Sequence, residues 1–169
     1  IRPRDWSSDV CSSDLSNLTA NLAALIAAEG YRVGVIDTDI QSPGIHVLFG
    51  VDHEKIQFAL NDYLWGRCRI EQAACDVTAI LSDGGPTPHP RAKLLLIPSS
   101  VKTGEIARVL REGYDVGLLN DGIHDLVRAL ELDYLLIDTH PGVNEETLLS
   151  IAICRRFVLI MRPDHQDFQ

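Results

Sequence analysis

Residues 16–44, SNLTANLAALIAAEGYRVGVIDTDIQSPG, read as a helix, a short strand and a pair of acids, in that order. From Asn17 to Glu29 the larger apolar residues Leu18, Leu22, Leu25 and Ile26 fall at helical spacing. Alanine fills most of the rest, and Gly30 supplies a C-terminal stop. The next run, Tyr31–Asp37 (YRVGVID), is short, apolar and rich in β-branched residues, with little alternation. That pattern predicts a parallel strand buried on both faces.

Further along, KLLLIP (93–98), YLLID (134–138) and RFVLIM (156–161) repeat the strand pattern. Helical segments are predicted between them at Glu54–Trp65, Gly104–Glu112, Val116–Leu130 and Asn144–Ile153, while LSDGGPTPHPRAK (81–93) reads as a Gly/Pro-rich loop. Strands alternating with helices at this spacing predict an α/β fold, a doubly wound, mostly parallel sheet with helices on both faces.

Composition bounds the function classes. The chain has 169 residues, 46% hydrophobic and 23% charged, as expected for one soluble domain with a real core. A net charge of −9 argues against non-specific nucleic-acid binding, which needs clustered Lys and Arg. No apolar run approaches the roughly 20 residues of a membrane span, and residues 1–15 do not form a signal peptide. Cys11, Cys68, Cys75 and Cys154 form no CxxC pair, so neither a metal knuckle nor a disulfide framework is expected and a reduced, cytoplasmic setting is.

In parallel sheets ligands bind beyond the carboxyl ends of the strands. Two predicted strands end there in an acid. VGVID closes on Asp37 and continues TDIQSPG; YLLID closes on Asp138 and continues THPG. A strand-terminal aspartate alone is explained by the turn that follows it, but two delivered to one edge point to chemistry. Asp138 suits a carboxylate holding Mg²⁺ through water, and Gly142 would let the backbone approach a phosphate. Asp37 and Asp39 suit a loop that orients water or metal during phosphoryl transfer.

Together these segments resemble the MinD/ParA family of P-loop ATPases with a deviant Walker A motif, over essentially all of residues 16–169. The resemblance implies a P-loop NTPase fold, ATP and Mg²⁺ as cofactors, and hydrolysis that switches a partner-binding state. It places Ser16 as the Mg²⁺-coordinating hydroxyl that ends the Walker A motif, with Asn17 beside the nucleotide. Asp37 and Asp39 fall in switch I, with Asp39 orienting the attacking water and facing the metal. Asp138 is the Walker B acid on the metal, and Gly142 lies in switch II. It further implies a nucleotide-dependent homodimer, an activating partner protein, and a role in positioning or partitioning a cellular assembly.

The departure falls at the phosphate site. Counting back from Ser16, the family's K-G-G-x-G-K is replaced by Val10, Cys11, Ser12, Ser13, Asp14 and Leu15. Neither the glycines that let backbone N–H groups converge nor the lysine is there. Asp14 adds a negative charge instead, so this chain is expected to hold ATP poorly. The eleven residues Asp5–Leu15 (DWSSDVCSSDL) resemble the in-frame translation of a common sequencing-library adapter. Residues 1–15 are therefore read as foreign or disordered and set apart from a partial ATPase domain at 16–169. The resemblance also implies further strands and helices past Gln169, including the adenine-contacting loop. Membrane or DNA attachment has no support in this sequence, although MinD-type relatives bind membrane peripherally through a C-terminal helix.

Two other readings stay open, and a third is set aside. One is a nucleotide-independent interaction module, against which the retained Asp39 and Asp138 speak. Another is a bacterial tyrosine-kinase-like P-loop protein. The last, a reductase-type ATPase carrying an iron–sulfur cluster, lacks a cysteine pair near the switch loops. His140, where many relatives carry proline, is read as a solvated loop histidine, and His46 as part of the helix or turn after switch I. Cys68 and Cys75 are read as small core residues, and Glu145 and Glu146 as acids in a helix's first turn.

Overall fold

In the computed structural model, residues 9–82, 88–140, 148, 151, 152, 154–156 and 158 are described. Helix α1 (Asp9–Ala28) leads into strand β1 (Arg32–Asp37). The short helices α2 (Ile45–Leu48) and α3 (Leu60–Leu64) precede the two-residue strand β2 (Cys75–Asp76). Strand β3 (Lys93–Ile97), helices α4 (Thr103–Glu112) and α5 (Val116–Ala129), and strand β4 (Tyr134–Asp138) follow.

The four strands form one sheet in the order β2-β3-β1-β4. β1 pairs in parallel with β3 and with β4, whereas β2 runs antiparallel to β3. The sheet is therefore mixed, with a parallel centre. Both faces are covered, as continuous apolar strands require. Val33 and Val35 of β1 and Leu94 and Leu96 of β3 pack under α1 with Ala20, Ala23 and Ala27. The alternate residues Ile36, Leu95 and Ile97 turn to the opposite face, against Leu119, Ile123 and Leu126 of α5 and Leu60 of α3. Successive side chains along a strand point to opposite faces, so a strand with two packed faces must be apolar throughout.

Helix α1 starts earlier than the sequence pattern predicts. It begins at Asp9, so residues 9–15, set apart in the sequence, continue the helix. No glycine or proline stands between Asp9 and Ala28 to stop its propagation. The face on the sheet is the alanine stripe, while Leu18, Leu22 and Leu25 are 43, 38 and 68% exposed. Small side chains let the helix backbone sit close to β1 and β3. Leu25 instead lines a groove of about 480 Å³ with Leu48, Phe49, Ile80 and Leu81.

The helix expected over Glu54–Trp65 is another correction. A 3₁₀ turn at His53–Lys55 gives way to extended backbone, and only Leu60–Leu64 is α-helical. Ala59 is extended, and its N–H is taken by the Asp62 carboxylate at 3.0 Å. The Leu60 N–H goes to the carbonyl of Pro98 at 2.8 Å. These two bonds start a new helix at Leu60 and anchor it behind the end of β3.

α4 and α5 lie where periodicity placed them. Of the helix predicted at Asn144–Ile153, Leu148, Ile151 and Ala152 are described and helical. The strand predicted at 156–161 lies outside the described residues except for Arg156 and Val158. Cys68, Cys75 and Cys154 are free thiols, and burial pushes each of them up from its ordinary pKa. Among the described residues no helix is long and apolar enough to cross a membrane.

Candidate functional site

The parallel register decides where the acids fall. Asp37 and Asp138 are paired positions at the ends of β1 and β4, so two carboxylates stand side by side at one sheet edge. Asp37 is fully buried, Asp138 is 1% exposed, and Asp39, two residues past Asp37, is 5% exposed. Three buried acids, hydrogen-bonded among the described residues to hydroxyls, amides and a histidine, make a costly arrangement.

Hydrogen bonds organise it. Ser16 Oγ donates to Asp138 Oδ2 at 2.7 Å and Thr19 Oγ1 to Asp138 Oδ1 at 3.1 Å. Ser16 and Thr19 are three apart, one helical turn, so α1 presents both hydroxyls to one carboxylate. The Thr38 N–H and Oγ1 both donate to the Asp138 carbonyl at 2.8 Å and join the two strand ends. Asp37 Oδ1 accepts the Asp39 N–H at 3.0 Å, and the Asp37 carbonyl accepts from Ser99 Oγ at 2.8 Å. Asp37 Oδ2 is buried with no partner.

The charges shift accordingly. Burial, with the neighbouring charges of Asp138 and Asp39, pushes the Asp37 carboxyl up to about 8 against the lowering pull of its backbone hydrogen bonds. Asp138 is also raised, chiefly by burial and partly offset by the Ser16 and Thr19 hydroxyls.

Ser16, Asp37, Asp39 and Asp138 are thus brought together. Asn17 follows Ser16 on α1 but is exposed. Gly142 lies outside the described residues. Thr19 was missed by the sequence reading, though its spacing from Ser16 carried the signal. His140 was misjudged: it is 31% exposed, with Nδ1 3.0 Å from Asp39 Oδ1. His46 does lie in the helix after β1, where it is buried with Nδ1 unpartnered. Burial lowers its pKa, so it stays neutral near pH 7.

Two ligand chemistries fit this edge differently. The hard oxygens of Ser16, Asp39 and Asp138 are of the kind that suits Mg²⁺. Among the described residues no three His, Cys, Asp or Glu side chains form a group able to hold a metal by themselves. The set therefore suits an ion that keeps most of its waters. A phosphate cradle does not fit. With α1 starting at Asp9, the amides of Ser16 to Thr19 lie inside the helix, where N–H groups bond four residues back. Its four unsatisfied amides lie near Asp9, seven residues or about 10 Å from Ser16.

No family model matches the chain. It is 28% identical over 149 residues to an uncharacterized ATP-binding protein of Methanocaldococcus jannaschii, a match covering 88% of the chain and 48% of that protein. It is 28% identical over 150 residues to the flagellum site-determining protein YlxH of Helicobacter pylori, covering 88% and 44%. The chain spans about half the length of the curated relatives it matches. Among solved structures, the septum site-determining protein MinD of Pyrococcus horikoshii, in complex with Mg-ADP, aligns over 82% of the chain and 49% of its own. Its TM-score is 0.61 at 19% identity. The homologues of this chain are MinD/ParA-type ATP-binding proteins, and its sheet and helices have the P-loop ATPase fold of MinD.

Proposed function

We propose that the chain is part of an ATP-hydrolysing switch protein of the MinD/ParA type, in which turnover positions or partitions a cellular assembly. The observation that carries this is the pair of helix hydroxyls, Ser16 and Thr19, on a buried strand-end carboxylate beside two further buried acids. A structural turn needs no such convergence.

In this reading Ser16 and Asp138 would hold Mg²⁺, with Asp39 facing it. The ion would supply charge neutralisation for the transferring phosphoryl group. Asp39, ordered by the Ser42 N–H on its Oδ1 at 3.0 Å, would orient the attacking water. Asp37 keeps the loop after β1 in place through its bond to the Asp39 amide. Asn17 and Gly142 would lie near the nucleotide, and a homodimer and an activating partner would complete the cycle. The setting is cytoplasmic, with peripheral membrane attachment an option for a longer chain.

Residues 10–15 stand where the lysine and glycines belong, and residues 1–15 are read as foreign to the domain. The chain as it stands should bind ATP weakly or not at all. The test is phosphate release after Val10–Leu15 is replaced by Lys-Gly-Gly-Val-Gly-Lys. Mg²⁺-dependent release that disappears in Asp39→Ala and Asp138→Asn supports the proposal. Release indifferent to both substitutions overturns it.

A further inference from the structure

His140 sits two residues past Asp138, in the loop leaving β4, and reaches across to the loop leaving β1. Its Nδ1 lies 3.0 Å from Asp39 Oδ1, the oxygen that also accepts the Ser42 N–H at 3.0 Å. Facing a carboxylate oxygen, which only accepts, Nδ1 is the nitrogen that carries the hydrogen. The bond spans 101 residues of chain and ties one loop to the other. The bonds from Thr38 to the Asp138 carbonyl join the same loops at their base. His140 adds a second tie further out, at the carboxylate itself.

We infer that His140 is a positioning residue for Asp39. It fixes one carboxylate oxygen and makes the two loops move together, so that Asp39 keeps its place relative to Asp138. Its meaning for hydrolysis rests on the reading of Asp39 given above; the tie itself does not. Asp39 is 5% exposed, so losing His140 leaves its Oδ1 with the Ser42 N–H alone in a place water reaches poorly.

The test uses the whole chain without metal or nucleotide. Amide hydrogen exchange at Ser42 is compared in the parent, His140→Ala, His140→Asn and His140→Gln. An asparagine amide nitrogen falls near the position of Nδ1, whereas a glutamine amide nitrogen falls near Nε2. His140→Ala and His140→Gln should speed exchange at Ser42 by about tenfold, the weight of one such bond, while His140→Asn should stay close to the parent. The ¹⁵N signal of His140 should report a protonated Nδ1, and Asp39→Ala should abolish that signature. Unchanged exchange in His140→Ala, or equal protection by asparagine and glutamine, would overturn the inference and leave His140 a packing residue. Because no nucleotide is present, that failure would not touch the ATPase proposal. Failure of the ATPase proposal would likewise leave the exchange pattern as it is.

Discussion

Ser16 and Asp138 are 122 residues apart in the chain and 2.7 Å apart in the fold, hydroxyl to carboxylate. The contact joins the helix before β1 to the end of the strand beyond it, and Thr19 doubles it one turn later. Ser16→Ala and Thr19→Ala should each destabilise the chain by about 1 kcal/mol at pH 8, since each removes a donor from a buried carboxylate. The loss should shrink at pH 5, where a raised Asp138 takes up a proton more readily. Urea unfolding of the two variants and the double variant checks this, and the shared partner predicts non-additivity.

Asp37 gives a pH dependence of defined sign. Its carboxyl titrates near 8 in the fold against 3.8 ordinarily, so the native state holds a proton that the unfolded chain releases. Stability from this group is full below the unfolded value and is lost as pH rises through about 8. Between pH 7 and 8.5, with divalent ions removed, stability should fall by about 1 kcal/mol. His46, lowered by burial, works in the opposite sense, and its effect fades as pH rises above 7. Asp37→Asn should flatten the curve, as followed by thermal unfolding at several pH values. A flat parent curve would mean that Asp37 is ionised in the fold.

Two glycines should respond differently to alanine. A Cβ at Gly122 of α5 would lie 2.5 Å from Tyr63 Cε1, part of a rigid ring held by its hydroxyl on the Leu118 carbonyl at 2.9 Å. A Cβ at Gly34 of β1 would meet the Cδ1 atoms of Leu132 and Leu135 at 2.6 and 3.0 Å, the ends of rotatable side chains. Gly122→Ala should cost about 2–3 kcal/mol and Gly34→Ala about 1 kcal/mol. Equal losses in urea unfolding would contradict that ranking.

The parts of the fold that sequence made legible are those governed by short-range pattern. Residues 33–36 carry no polar side chain because both faces of β1 are packed, residues 135–137 of β4 are apolar and half-buried, and the acids that end the two strands mark the edge. What escaped depends on contacts distant in sequence. The helix near Leu60 begins where the Pro98 carbonyl and the Asp62 side chain take amides. Periodicity marks α1 as a helix through its leucines, but the face that packs on the sheet is its alanine stripe, selected by close approach. His140 reaches Asp39 only through the juxtaposition of β1 and β4, which periodicity does not encode.

The central claim is that the carboxylate and hydroxyl half of the site is intact while the phosphate half is missing. A titration of a fluorescent ATP analogue, with and without Mg²⁺, tests it on two chains: the parent and the one carrying Lys-Gly-Gly-Val-Gly-Lys at 10–15. The account predicts no saturable binding by the parent and Mg²⁺-dependent micromolar binding by the second. Micromolar, Mg²⁺-dependent binding by the unaltered chain would contradict it.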